Sequence, residues 1–193
     1  MSGVTGTQAE VLYSLAAAIT KNTFTAKAAI TGVLGTNTVC KIPAGWAAND
    51  VPNPVGRSLA LKIRGIIANT AAATFAAELD LNTTAGTALG IVVVNTAYTP
   101  TAGVTAPFAL DAEYTITAYA TSTMSLQVNG SMVYEQVAAG GAPSTTSQRV
   151  GFQGLLTGVD PRVDQFVELM GTWSASSASN TTTVHQMKLY GEN

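Results

Sequence analysis

From about residue 24 onward apolar and polar side chains alternate with a period of two, broken roughly every 8–15 residues by clusters of Gly, Pro, Asn, Ser and Thr. Such a period places alternate side chains on opposite faces of a strand. Many short strands separated by turns bury their apolar faces only by stacking two sheets or closing one into a barrel. Helical periodicity is nearly absent. Within Gln8–Ile19, Val11, Leu12, Leu15, Ala16 and Ile19 fit a helical stripe, while Val11, Tyr13 and Leu15 fit one face of a strand equally well. We read this segment as a strand or an extended arm.

Two hairpins stand out. Arg57–Ala68 and Thr74–Leu81 flank a short Asn-Thr-Ala-rich connection, and pairing about Ala71 sets Leu61 against Leu81, Ile63 against Leu79 and Ile67 against Phe75. The same register pairs Lys62 with Asp80 and Arg64 with Glu78, so both faces are satisfied at once. Asn129-Gly130 suits the positive φ angles of a two-residue type I′ turn and predicts a second hairpin, with Leu126 opposing Val133. Further strands are expected over Ala112–Thr121, Asp164–Ser174 and Thr181–Tyr190. Loops are expected over Pro43–Pro54, Asn95–Pro107, Ala138–Ser147 and Gly154–Pro161. The expected architecture is all-β: an antiparallel jelly roll or related β-sandwich spanning residues 16–193 as one domain, preceded by an arm or first strand over residues 1–15.

Composition narrows the function. Only 10% of the 193 residues are charged, against about 25% in soluble domains, while 47% are hydrophobic. Thr, Ser, Ala and Asn fill the remaining surface, which suits coverage by other protein. Nine basic and eleven acidic residues lie scattered, giving a net charge of −2, so neither nucleic acid nor an anionic membrane is an expected partner. No apolar run approaches the roughly 20 residues of a membrane-spanning helix. The N-terminus lacks the basic and apolar stretches of a secretory signal, which points to assembly in a cytoplasm. Cys40 is the single cysteine and reads as a small buried hydrophobe.

The residues that carry chemistry are sparse. His185 is the single histidine, no Gly-x-Ser-x-Gly elbow occurs, and the glycine-rich stretches at Gly32–Gly35 and Ala139–Gly141 lack the Lys-Ser/Thr of a phosphate loop. Glu78/Asp80 and Asp111/Glu113 each place two acids on one strand face about 7 Å apart, a spacing open to glycosidases. The first pair has proposed cross-strand partners, and Trp46 and Trp173 lie too far apart in sequence to suggest an aromatic sugar cleft. No catalytic residue, metal ligand or cofactor is assigned, and the chain is read as a non-enzyme.

The run Thr172-Trp173-Ser174-Ala175-Ser176-Ser177-Ala178-Ser179-Asn180-Thr181-Thr182-Thr183-Val184-His185-Gln186 joins a tryptophan strand, a Ser/Ala/Asn turn and a Thr-rich strand. It resembles the closing segment of small β-rich structural proteins of tailed bacteriophages. Leu59-Ala60-Leu61-Lys62-Ile63-Arg64-Gly65-Ile66-Ile67 resembles an early strand of the same group. Together these cover about a quarter of the chain. The resemblance implies a jelly roll that associates as a homotrimer and serves the virion, as a decoration protein on the major capsid protein at the capsid surface, or alternatively in a tail or fibre. Tyr119, Phe166, Met170 and Trp173 are the candidates for contact between subunits, because the strand around Trp173 is apolar on both faces. Val11, Tyr13 and Leu15 are candidates for contact with the capsid through the arm. In the tail alternative, Trp46, Tyr98 or Tyr119 would stack on host sugars.

Overall fold

The alternation resolves into strands wherever a run of branched or aromatic side chains can face another such run. In the computed structural model, residues 10–31, 40–48, 54–69, 73–84, 87–137 and 143–192 are described. The strands are β1 (Glu10–Ser14), β2 (Ile19–Asn22), β3 (Ala28–Ala29), β4 (Cys40–Ile42), β5 (Ser58–Ala68) and β6 (Phe75–Thr84). They continue as β7 (Thr87–Tyr98), β8 (Thr105–Ala120), β9 (Thr123–Val137), β10 (Pro143–Val159), β11 (Gln165–Trp173) and β12 (Thr181–Glu192).

Two antiparallel sheets result. The larger runs β1–β12–β5–β8–β9–β10, with β2 beside β1 on the same edge of β12; the smaller runs β3–β11–β6–β7, with β4 also on β11. The chain crosses between sheets from β5 to β6, β7 to β8, β10 to β11 and β11 to β12. This nesting is a jelly roll, in which β9 and β10 widen one sheet. β1 and β2 join the larger sheet and β3 and β4 the smaller, and β1 hydrogen-bonds β12 of its own chain, Glu10 lying opposite Gly191.

The expected β5–β6 hairpin is incorrect. The two strands belong to different sheets, and residues 70–72 of the connection between them lie outside the described ones. Leu61, Ile63 and Ile67 still oppose Phe75, Leu79 and Leu81 as members of one core, all almost fully buried, but across the interior instead of along a ladder. Alternation states which face is buried and leaves the neighbour unstated. Lys62 and Arg64 consequently lie beside Asp111 and Ala109 of β8, and not beside Asp80 and Glu78.

Asn129-Gly130 is also not a turn. Both residues sit inside β9, opposite Glu113 and Ala112 on one side and Gln153 and Phe152 on the other, and the β8–β9 reversal falls at Thr121-Ser122 instead. Leu126 opposes Ile116 and Leu156, and Val133 opposes Ala109 and Arg149. Gly130 is needed for closeness: a Cβ there would collide with the Phe152 ring and the Asp111 carbonyl. Gly65 is likewise covered by Phe108, its direct cross-strand neighbour, and a Cβ there would also strike the Thr183 carbonyl. The expected loops at Asn95–Pro107 and Gly154–Pro161 shrink, because β7 continues to Tyr98, β8 begins at Thr105 and β10 runs on to Val159. The Gly32–Gly35 and Ala139–Gly141 stretches lie outside the described residues.

A bulge between Val184 and Gln186 inserts His185 into β12 and shifts the phase, so that Val184, Met187 and Leu189 all point inward. The interior is densely aromatic. Trp173 packs on Phe75 with ring centroids 5.1 Å apart, and Tyr98 of the small sheet stacks on Tyr134 of the large one at 3.8 Å. The Tyr134 hydroxyl donates to Asn95 Oδ1 at 2.7 Å, and the Asn95 amide donates to the Phe75 carbonyl at 2.8 Å, tying the sheets together where the rings meet.

Gly65→Ala tests the aromatic cover. The methyl meets a backbone carbonyl as well as a ring, so relief requires the ladder itself to move. We expect destabilisation of about 1–3 kcal/mol and a Tm lowered by about 2–10 °C in a thermal melt. An unchanged Tm would show that the close approach is dispensable.

Candidate binding face

The outer face of the large sheet gathers most of the polar side chains that strand pairing aligns. Across five strands, Lys188, Lys62, Asp111, Ser131 and Gly151 stand side by side; the adjacent row is Tyr190, Ala60, Glu113, Asn129 and Gln153. Small side chains at Ala60 and Ser131 leave a shallow trough of about 330 Å³ between taller walls that include Lys62, Glu113, Asn129 and Arg149. A neighbouring hollow of about 340 Å³ is lined by Arg64, Pro107, Val133, Glu135 and His185, among others.

Charges in the trough are unevenly committed. Arg64 Nη2 grips both oxygens of Asp111, at 2.8 and 3.1 Å, while its Nη1 donates to the carbonyls of Ile63 and Leu110. Among the described residues, Glu113 has only a 3.5 Å contact from the Thr115 hydroxyl, and Arg149 reaches Ser131 Oγ at 3.2 Å. The Lys62 ammonium lies 5.9 Å from the centre of the Tyr190 ring.

The outer face of the small sheet is of a different kind. Glu78 and Asp80 point outward from β6, and Lys27 bridges them at 2.7 and 3.0 Å. Asp80 lies directly opposite Glu168 of β11; their residues are 3% and 2% exposed, and the Asn82 amide donates to Glu168. Burial is the main cause that raises the Asp80 pKa; Lys27 opposes it and Glu78 adds to it. This arrangement clamps the segment before β3 onto the sheet. Among the described residues, no three His, Cys, Asp or Glu side chains converge to hold a metal ion. His185 is exposed at its bulge.

No known protein family matches this chain. No curated protein matches it either. Among solved structures, it is similar to the CBM2 module of the evolved Dit of Lactobacillus casei BL23 phage J-1, with a TM-score of 0.34 and 11% identity over 97% of each chain.

The contact candidates divide by position. Trp173 is fully buried and Met170 nearly so, and β11 is enclosed along most of its length by its own chain. They have little or no surface to offer a partner. Tyr119 and Phe166 keep part of theirs, Tyr119 at the rim of the core near the β8–β9 turn and Phe166 beside Lys41 of β4. Val11 is 58% exposed, whereas Tyr13 and Leu15 pack partly against the core. Residues 1–9 of the expected arm lie outside the described ones. Trp46 and Tyr98 are buried, so neither presents a ring to a sugar.

Sequence reasoning missed the exposed apolar residues of the strand pair β7 and β10. Ile91 and Val93 are each 49% exposed and Leu155 is 59% exposed. Val92 would meet a Cβ placed on Gly154, so these side chains flank the seam where the outermost strands of the two sheets approach each other. Gly90–Val94 is an unbroken apolar run, and the only available signal was strand geometry itself, which turns every second branched residue of such a run outward.

The Lys27 clamp predicts a pH-dependent defect. In Lys27→Met, Glu78 and Asp80 lose their bridging cation, and we expect a loss of about 2 kcal/mol at pH 7, below the 3–5 of a fully buried pair because Lys27 is partly solvated. The loss shrinks in acid as the carboxyls take up protons. Asp80 itself, with its folded pKa raised above the unfolded one, favours folding at low pH, and that contribution disappears as pH rises through the folded pKa. Asp164 has the opposite sign. Its pKa is lowered by Lys41 first and the Ala44 amide second, so its contribution holds at neutral pH and fades on acidification. Urea melts of wild type and Lys27→Met at pH 7 and pH 4 check the clamp; equal defects at both values would refute it.

Proposed function

We propose that this chain is a structural protein of a tailed-phage virion that decorates the head, binding the major capsid protein and copies of itself. The observation carrying this reading is the apolar seam of Ile91, Val93 and Leu155. It lies beside β7, whose twelve residues include no charged side chain. Half-exposed branched side chains on a charge-free edge suit contact with protein and discourage isolation in water. The low charge of the whole chain supports the same reading, because little desolvation opposes close packing between copies. The resemblance of the Trp173 and Leu59 strands to phage structural proteins supplies the virion setting. A homotrimer is the simplest assembly in keeping with that group.

Cryo-electron microscopy of intact particles, with copy number from quantitative mass spectrometry, tests the location. Decoration requires density on the capsid surface and copies on the order of hundreds; density on the tail with tens of copies or fewer would overturn it. A paired substitution, Ile91→Asp with Val93→Asp, tests the seam. Both side chains already face solvent, so the Tm is expected to change little while self-association by analytical ultracentrifugation or attachment to bare capsids falls at least tenfold. Unchanged association and attachment would remove the seam from the interface.

A further inference from the structure

We infer that the trough on the outer face of the large sheet is a binding site for an uncharged saccharide, occupied by one or two sugar units lying across β5, β8 and β9. Such a site would serve equally on head or tail, whichever of the two the protein occupies. The trough walls combine donor-only groups, Lys62 and Arg149, with acceptor-only groups, Asp111 and Glu113, and two groups that do both, Asn129 and Ser131. The lining therefore balances two positive against two negative charges. A balanced lining gives no advantage to an ion, and alternating donors and acceptors match vicinal hydroxyls, each of which donates and accepts.

Capacity remains for such a ligand. Among the described residues, Glu113 and Arg149 each make one side-chain contact, at 3.5 and 3.2 Å, Lys62 takes part in no ion pair, and the Asn129 side chain has one contact at 3.5 Å from Gln127. Asp111 is held in place by the two-pronged grip of Arg64, so its position is fixed before a ligand arrives. Strand pairing does the same for the remaining groups, since Glu113 and Asn129 are direct neighbours, as are Asp111 and Ser131. The volume of about 330 Å³ accommodates a mono- or disaccharide. Tyr190, opposite Ala60 on β12, stands one strand beyond the trough with the Lys62 ammonium 5.9 Å from its ring centre.

The test is NMR titration of backbone amides with maltotriose, cellotriose and diacetylchitobiose, with glycerol as a control for indiscriminate polyol binding. At least one saccharide is expected to shift amides at Lys62, Asp111, Glu113, Asn129 and Ser131 with a Kd on the order of 1 mM, as befits a shallow open site. Ser131→Leu is expected to weaken binding at least fivefold by filling the floor. Gly151→Leu is the second occluding variant: Gly151 lies directly opposite Ser131 at the border of the trough and a Cβ there meets nothing within 4 Å, so the fold should retain its Tm while the added side chain, beside Ser131, lowers binding. Glu113→Gln should weaken binding about threefold while leaving the floor open. Absence of shifts with all three saccharides at about tenfold the expected Kd, equal shifts with glycerol, or unchanged binding in Gly151→Leu would each overturn the assignment.

Discussion

The apposition of β5 and β6 across the interior is the contact on which the rest of the structure depends. Leu61, Ile63 and Ile67 on one sheet and Phe75, Leu79 and Leu81 on the other are contributed by consecutive strands, so a single connection commits both sheets to their inner faces. Once those faces are set, β8 and β12 have to flank β5, while β7 and β11 flank β6. The Tyr98–Tyr134 stack and the Asn95 hydrogen bonds then hold the layers together near the widened part of the roll. With few charges available, packing of this kind has to supply most of the stability.

What could be read from the sequence follows from what period-two patterning encodes. It identified the strands around Leu61, Tyr114, Trp173 and Val184 and the antiparallel two-sheet architecture, because the apolar side of each strand is written into it. It could not say whether two matching apolar faces lie side by side or opposite one another. β5 and β6 satisfy both geometries on paper, and the charge complementarity of Lys62 and Arg64 with Asp80 and Glu78 was coincidental. Arg64 found Asp111, and the acids found Lys27. Asn129-Gly130 misled for a related reason: its local propensity for a turn yielded to the tertiary need for a glycine beneath Phe152. The His185 bulge is similarly invisible locally, since its purpose is to bring Val184 into phase with Met187 and Leu189.

The candidate sites were less legible than the fold. A face of a sheet draws its members from strands distant in sequence, so the trough around Ser131 exists only after β5, β8, β9 and β10 are placed in register. The aromatic residues that looked most available, Trp46 and Tyr98, went into the interior because large rings are the cheapest way to fill a charge-poor core. Exposed apolar residues were equally hidden, as Ile91 and Val93 differ from Val92 and Val94 only in parity.

The order in which strands pair has a consequence for synthesis. β11 gathers β3, β4 and β6, and β12 gathers β1, β2 and β5; these hubs are the final strands of the described chain to leave the ribosome. Until they arrive, one side of β5 and one side of β6 lack their partners, whereas the β8–β9–β10 meander can pair as it emerges. At translation rates of about 5–20 residues per second, the early strands wait several seconds with bare edges. Within this chain the two sheets therefore close around their common core only once β11 and β12 have been made.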